Sequence, residues 1–305
     1  MENTFERGLK GLEPSDGERA RQLIAEEYDL AAGRWDRDFV PPTAPARERL
    51  LELARVTPGE SVLDIGTGTG AAALLAAHRV GEEGTVVGID ISGGMLKEAR
   101  AKATRLGLGN VEFRRTDATS LELPDKTFDA VISSFGVPTE GPSDNDAFLI
   151  EWLRVLKPGG RLCLCDYSGK SEEEVIFDQV FSKHRVTDPS PELATRRRLK
   201  ALTAEAAKGV PSLDFSNPSG AKRLIEAAGF REVRVLTETF ENLFPSAQAA
   251  LDLELLFASA EYAAMSQEVQ NTFRRELLEA LRPFESPKGF GRADVAFALG
   301  KRAVD

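Results

Sequence analysis

Cysteine and histidine are scarce in this chain, with 2 of each among 305 residues. Neither type shows the spacing of metal ligands and no Ser-His-Asp arrangement is suggested, so we predict no metal site and no hydrolase triad. Cys163 and Cys165 are two apart in a strand-like segment, too close for an ordinary disulfide. We interpret both as small buried side chains in a reducing compartment, which predicts a cytoplasmic protein.

Positive charge and long apolar runs are also lacking. Lys plus Arg number 39 against 49 Asp plus Glu, and the net charge of -10 argues against a nucleic-acid or anionic-membrane partner. The one dense basic run, at residues 196–198, is interpreted as a solvated helix face. No apolar stretch reaches the roughly 20 residues of a membrane span, and the start MENTFERGLK is not typical of a signal peptide.

The most informative stretch present is residues 62–70, VLDIGTGTG, an apolar strand that runs into a glycine-rich turn and an alanine-rich helix. This pattern predicts a nucleoside-binding βα turn. Gly66, Gly68 and Ala71 also satisfy the spacing of a dinucleotide site, which is a weak signal by itself. Asp64 favours a different ligand, because its carboxylate would repel a pyrophosphate at the helix N-terminus and suit a cationic nucleoside.

Strands and helices alternate regularly after this turn, which predicts an α/β fold with a mostly parallel sheet covered on both faces. The predicted strands after the first are 85–89, 111–115, 128–135, 161–167, 230–239 and 293–300. Helical patterns are expected at 15–30, 46–56, 148–156, within 171–209, and at 245–265 and 266–281. We divide the chain into an N-terminal helical arm (1–58), a nucleoside-binding core (59–168), a helical lid insertion (169–215) and the rest of the core with an inserted helical pair (216–305).

Three acids fall at the ends of the first three predicted strands: Asp64, Asp90 and Asp117. In an open α/β sheet those carboxyl ends are where a ligand lies. Asp90, about 20 residues beyond the glycines, is placed to accept both ribose hydroxyls, and Asp117 with the Ala118 backbone can take the adenine edge. Asp90 could also act as an acid that favours the dipole of the next helix.

These segments resemble the class I S-adenosylmethionine-dependent methyltransferases, most of all the ubiquinone/menaquinone-biosynthesis C-methyltransferases and related small-molecule enzymes. The resemblance covers roughly residues 60–167 and includes the segments 87–92, 115–118, 128–137 and 154–162. It implies a Rossmann-like sheet of seven strands with the last antiparallel. S-adenosylmethionine carries an ammonium and a sulfonium and no phosphate, which agrees with Asp64. The chain departs from the family pattern at 138–145, in the insertion after Tyr167 and in the helices after Pro245.

The resemblance also implies residue roles: the glycine turn for the methionine portion, Asp90 for the ribose, Asp117 and Ala118 for the adenine, and Ser133 and Ser134 near the methionine end. The cofactor site so predicted comprises Asp64, Gly66, Thr67, Gly68, Gly70, Asp90, Ile91, Met95, Asp117, Ala118, Ser133 and Ser134.

Methyl transfer from a sulfonium is an in-line displacement, so a general base is optional. The candidates are His184 in the insertion, Tyr28 in the N-terminal arm and Tyr167 at the end of the fifth strand. A histidine such as His184, beside Lys183 and Arg185, is more often a solvated helix residue, and Tyr28 is at least as well explained as an anchor for the arm.

We therefore predict a methyltransferase that uses S-adenosylmethionine to methylate, on O or C, a small apolar or aromatic metabolite. The rival interpretations are an NAD(P)-binding oxidoreductase and a catalytically silent partner subunit. The segments 1–40, 171–210 and 245–281 are expected to cover the acceptor site, and the last could instead form a homodimer interface.

Overall fold

The computed structural model describes residues 14–137, 145–206 and 213–304. The segment that departs from the family pattern at 138–144 lies outside the described residues.

Helices and strands alternate through most of these ranges. The helices are α1 (Pro14–Asp38), α2 (Val40–Ala54), α3 (Ala71–Val80), α4 (Gly93–Leu106), α5 (Asn145–Val155), α6 (Glu172–Lys183), α7 (Pro191–Ala206), α8 (Pro218–Ala227), α9 (Ala247–Phe257), α10 (Ser259–Ala263) and α11 (Gln267–Leu281). The strands are β1 (Ser61–Ile65), β2 (Thr85–Asp90), β3 (Val111–Arg115), β4 (Phe128–Ser134), β5 (Leu156–Tyr167), β6 (Arg231–Phe244) and β7 (Phe290–Lys301).

Within the described ranges, seven strands form one sheet in the order β3-β2-β1-β4-β5-β7-β6. The first five strands in this order are parallel, and β7 lies antiparallel between β5 and β6. The predicted Rossmann-like sheet with an antiparallel last strand is thus confirmed. The chain order reverses between β1 and β4, and such a switch point is where open α/β sheets bind ligands.

Several predicted boundaries differ from those observed. The helix expected at 46–56 begins six positions earlier, at Val40, because Pro41 and Pro42 occupy its first turn, where a missing N–H costs nothing. The first helix continues past Leu30 to Asp38, so the aromatic and acidic segment 27–36 is helical. The fifth strand begins at Leu156, which pairs with Phe128.

The two faces of the sheet are covered by different helices. One face packs on α5 and α8 around Phe148, Trp152 and Phe230. The other packs on α2, α3 and α4, and includes Cys163 and Cys165. Both cysteines are buried and free, and burial raises the pKa of the Cys163 thiol to about 12. They are the small buried side chains predicted from their spacing.

The remaining helices lie outside these layers. Helix α1 packs on α4, α9 and α7, and α11 packs on α6 and α9. Phe177 of α6 meets Phe273 of α11 edge to face with ring centroids 5.9 Å apart. Helix α2, although within the predicted N-terminal segment, belongs to the layer on the sheet.

Candidate active site

The glycine turn between β1 and α3 is shaped by a close backbone contact. Gly66 and Gly68 have φ angles of 63° and 55°. A Cβ on Gly66 would lie 2.6 Å from the Cα of Gly136, which follows β4. Only glycine combines this left-handed backbone with that approach. The turn leaves open space at the carboxyl ends of the strands.

A cavity of about 370 Å³ lies at this edge of the sheet, a size typical of ligand pockets. Most of the predicted cofactor residues line it: Asp64, Gly66, Thr67, Gly68, Asp90, Ile91, Met95, Asp117, Ala118 and Ser134. Tyr28 and Tyr167 line it as well. The structure therefore brings together side chains from strands that are distant in sequence.

Asp64 is fully buried at the wall of this cavity. Its Oδ2 accepts a hydrogen bond of 2.6 Å from the Thr67 hydroxyl, whereas Oδ1 has no hydrogen-bond partner. Burial raises the pKa of this carboxyl from 3.8 to about 7, although the Thr67 hydroxyl, the nearby Ala73 backbone N–H and the charge of Arg47 act in the opposite direction. A cation in the cavity would relieve that cost by favouring the ionised form.

Asp90 holds the glycine turn while facing the cavity. Its Oδ2 accepts from the Gly68 N–H at 2.8 Å, and its Oδ1 accepts from the Ser92 N–H at 2.9 Å. Burial raises the pKa of Asp90, and these backbone hydrogen bonds oppose the rise. Each carboxylate oxygen keeps a further lone pair that a ribose hydroxyl could use.

Asp117 and Ala118 follow β3, the strand at one edge of the sheet, and line the cavity there. Asp117 Oδ1 accepts from the backbone N–H and hydroxyl of Thr119, at 2.8 and 2.7 Å. Asp117 Oδ2 lies 3.5 Å from Nε of Arg21 on α1. The Ala118 carbonyl accepts from Trp152 Nε1 at 2.9 Å, which fixes this backbone against α5.

Three predicted site residues do not line the cavity. A Cβ on Gly70 would meet the Phe113 ring at 2.9 Å, so its role is packing. The buried Ser133 hydroxyl donates to the Ile65 carbonyl at 2.9 Å and ties β4 to β1. His184 ends α6, and its Nε2 lies 2.8 Å from Oε2 of Glu276 on α11. The His184 side chain is thus covered and paired with an acid, away from the residues that line the cavity.

Helix α1 crosses the glycine turn and is held by acid contacts. Asp29 Oδ1 accepts from the Ser92 hydroxyl at 2.5 Å and from the Gly94 N–H at 2.7 Å, at the start of α4. Asp36 Oδ1 accepts from the Thr69 hydroxyl at 2.5 Å and from Lys102 Nζ at 2.7 Å. The arm is therefore fastened to the glycine turn and to α4.

Six aromatic side chains that contact one another also line the cavity: Tyr28, Trp35, Phe39, Phe135, Tyr167 and Phe257. Trp35 stacks on Phe39 with ring centroids 4.3 Å apart, and Phe135 lies 4.8 Å from Tyr167. Phe135 has a φ of 54°, a strained conformation for a non-glycine residue that turns the chain out of β4 into the cavity wall.

Asp166 is a cavity acid that the sequence analysis missed. It lies near the carboxyl end of β5, so the rule that selected Asp64, Asp90 and Asp117 could have found it. Its Oδ1 accepts from the Tyr167 N–H at 2.8 Å, and burial raises its pKa to about 7. Burial also raises the pKa of the Tyr167 phenol, so that hydroxyl stays protonated at neutral pH.

Arg47 of α2 is a second missed residue of the cavity wall. Only 5% of its surface is exposed. Its Nη1 donates to the Thr43 hydroxyl at 3.1 Å and its Nη2 to the Val40 carbonyl at 2.9 Å, whereas Nε has no partner. Burial lowers the pKa of this guanidinium.

Comparison with known proteins agrees with this geometry. The methyltransferase domain family matches residues 56–229. Nocamycin O-methyltransferase of Saccharothrix syringae is 34% identical over 228 residues, which are 73% of this chain and 77% of that protein. The C-methyltransferase UbiE of ubiquinone/menaquinone biosynthesis in Teredinibacter turnerae is 45% identical over 119 residues, 39% of this chain and 47% of that protein. The chain thus spans about half the length of this second relative.

Two solved structures share the fold. The [4+2]-cyclase SpnF has a TM-score of 0.55 at 20% identity, covering 94% of this chain and 98% of SpnF. Phosphoethanolamine N-methyltransferase 2 of Haemonchus contortus, in complex with S-adenosyl-L-methionine, has a TM-score of 0.55 at 19% identity, covering 96% of this chain and 61% of that one. Among the described helices, none has the length and apolar character needed to cross a membrane.

Proposed function

The chain belongs to the class I S-adenosylmethionine-dependent methyltransferases, and we propose that it methylates a small apolar or aromatic metabolite on oxygen or carbon. The observation that carries the proposal is one cavity whose lining combines two kinds of residue. The polar residues expected for the cofactor share that lining with a connected cluster of aromatic rings. Those rings favour a flat, apolar acceptor by stacking and burial.

In this proposal, residues at the carboxyl ends of three strands hold different parts of the cofactor. Asp90 accepts hydrogen bonds from the ribose, and Asp117 with Ala118 holds the adenine. The methionine portion lies over the glycine turn, where the Asp64 carboxylate faces its positive charge. The free Oδ1 of Asp64 supports this placement, since a buried carboxylate oxygen without a donor is costly.

The aromatic residues of the cavity orient the nucleophile of the acceptor and exclude water. When bound, S-adenosylmethionine supplies both the activated methyl group and its own leaving group. The aromatic walls hold the acceptor in line with that group. Tyr167 donates a hydrogen bond to the acceptor oxygen, and Asp166 takes the proton that a phenol or enol releases. Its pKa of about 7 suits a proton acceptor at neutral pH.

Calorimetry of the purified chain tests the cofactor assignment. S-adenosylmethionine and S-adenosylhomocysteine should bind in the micromolar range, and NAD should not. Binding of NAD with no response to either adenosyl ligand would instead favour the oxidoreductase. A methyl-acceptor screen with labelled cofactor, run over phenols, enols and aromatic acids, then separates an enzyme from a silent partner subunit.

The cover over the cavity is part of the proposal. Helices α1 and α9 supply wall residues, among them Trp35 and Phe257. Helix α7 reaches α1 through Arg196, whose guanidinium lies 3.2 Å from carboxylate oxygens of both Glu26 and Glu27. The insertion thus acts as an outer support, whereas α1 and α9 close the site and exclude water.

Hydrogen exchange with and without S-adenosylhomocysteine tests this cover. Amides of α1 and α9 should gain protection, and α7 should follow them. Unchanged exchange in all three helices would show that the cover is fixed or unrelated to the ligand.

A reducing, cytoplasmic location and a possible homodimer complete the proposal. The buried free thiols support the location. The apolar face of α11 packs on α6 and α9 within the chain, so a dimer would use another surface.

A further inference from the structure

Two buried side-chain nitrogen or oxygen atoms in the described part of the chain have no hydrogen-bond partner: Nε of Arg47 and Oδ1 of Asp64. They belong to groups of opposite charge, and both residues line the same cavity. Buried polar atoms are nearly always paired, so two complementary orphans in one cavity point to a ligand.

Arg47 is a cation without an anionic partner among the described residues. Its guanidinium donates only to a hydroxyl and a backbone carbonyl, those of Thr43 and Val40. A buried charge held by neutral partners alone is unfavourable, and burial accordingly lowers the pKa of this group. The planar fork of a guanidinium matches the two oxygens of a carboxylate.

Asp64 provides the opposite charge at the glycine turn. Its carboxylate and the guanidinium of Arg47 attract each other electrostatically, yet the hydrogen bonds of each group go to other residues, Thr67 for Asp64 and Thr43 and Val40 for Arg47. The cavity therefore offers separate positive and negative groups. A ligand that carries a carboxylate and an ammonium on one carbon, an α-amino acid, complements both.

We propose that Arg47 binds the α-carboxylate at the methionine end of the cofactor, with Asp64 on the side of its ammonium. This inference rests on the proposed function, because it takes S-adenosylmethionine as the ligand. It assigns to α2 a direct part in cofactor binding. An acceptor carboxylate shares the same chemistry, so the test must separate the two sources.

The first measurement uses the unmodified chain and two ligands. S-adenosylhomocysteine has the carboxylate, and its decarboxylated analogue, an aminopropylthioadenosine, lacks only that group. Calorimetry should show the analogue binding about 10- to 100-fold more weakly, the effect of a lost hydrogen bond between charged groups.

The second measurement uses variants. Arg47→Met should weaken S-adenosylhomocysteine to the affinity of the analogue and leave the analogue unchanged, and Arg47→Lys should recover part of the loss. Arg49→Met is the matched control, since Arg49 lies on the same helix and pairs with Glu52 and Glu238 at the surface. It should bind both ligands as the parent does.

The outcomes separate this inference from the function it rests on. If the parent binds no adenosyl ligand, both fail. If the parent binds the two ligands equally, or if Arg47→Met weakens both equally, only the carboxylate role is overturned. If Arg47→Met weakens neither ligand, the carboxylate role is also overturned, and an acceptor anion becomes the partner of Arg47. Thermal melting checks that Arg47→Met is folded, and if it is not, the parent comparison and Arg47→Lys decide.

Discussion

The raised pKa of Asp64 predicts that cofactor binding releases a proton. In the free protein the carboxyl is fully buried and half protonated near pH 7. A ligand with positive charge beside it favours the ionised form. Binding below pH 7 must therefore expel the proton, and the affinity for S-adenosylhomocysteine should depend on pH.

The size and sign of the effect follow from the pKa. The increase in the Asp64 pKa from 3.8 to about 7 corresponds to a free-energy difference on the order of 4 kcal/mol between its protonated and ionised forms. Solvent does not screen this difference, because the group is buried. In the free protein, the proton on Asp64 adds to the stability of the fold, because the folded state holds it more tightly than the unfolded state. This contribution is complete below about pH 4 and is lost as the pH rises to about 7. The ligand affinity increases as the pH rises, by up to about tenfold per pH unit below pH 7, and stays constant above it.

Calorimetry between about pH 5.5 and 8, in buffers of different ionisation enthalpy, measures both quantities. The parent should release close to one proton at the acid end, and Asp64→Asn should remove both the release and the slope. Asp166→Asn is the matched control, because Asp166 lines the same cavity with a similar pKa. A slope that survives in Asp64→Asn and vanishes in Asp166→Asn would refute the assignment to Asp64.

Two further predictions concern the turn that carries the site. Asp90→Ala should weaken S-adenosylhomocysteine binding by about 1–3 kcal/mol in calorimetry while the protein still melts cooperatively; equal affinity would make Asp90 a support for Gly68 alone. Gly66→Ala should lower the free energy of unfolding by about 1–3 kcal/mol in a denaturant titration, because its Cβ would lie 2.6 Å from Gly136 Cα at a φ of 63°. Gly33→Ala, within α1 and with open space at that position, is the control, and should be neutral or stabilising.

The sheet and the polar end of the cavity were predictable because their signals are local. The carboxyl end of each of the first four strands is marked by an acid or a glycine within one or two residues. Asp64, Asp90 and Asp117 come together through parallel pairing alone, which the alternation of strands and helices already implies. Neighbouring strand residues face opposite sides, so Ser134 lines the cavity whereas Ser133 bonds to the Ile65 carbonyl, a difference that the sequence does not show.

The cover was harder to predict, because its helices meet the site through contacts between distant segments. His184 was a candidate on residue type, and its pairing with Glu276 depends on α6 and α11 lying side by side. The acids of the segment 27–36 were visible as a pattern. Which of them hold α4, and which aromatic rings face the acceptor, is decided by the path of α1 across the sheet edge.

The helical position of Arg47 is a signal in the sequence that a count of charges does not reveal. In the printed sequence Arg47, Glu48 and Arg49 form an ordinary charged run. Helical spacing separates them, because Arg47 lies three, four and seven positions before the buried residues Leu50, Leu51 and Ala54. Arg49 lies off that stripe and pairs with Glu238. A cation on the apolar face of an amphipathic helix must find a partner inside the protein or in a ligand. The hydrogen-bond partners of Arg47 within the described residues are neutral. This exception to the helix pattern is therefore the reason for which we propose the cofactor's carboxylate as its partner.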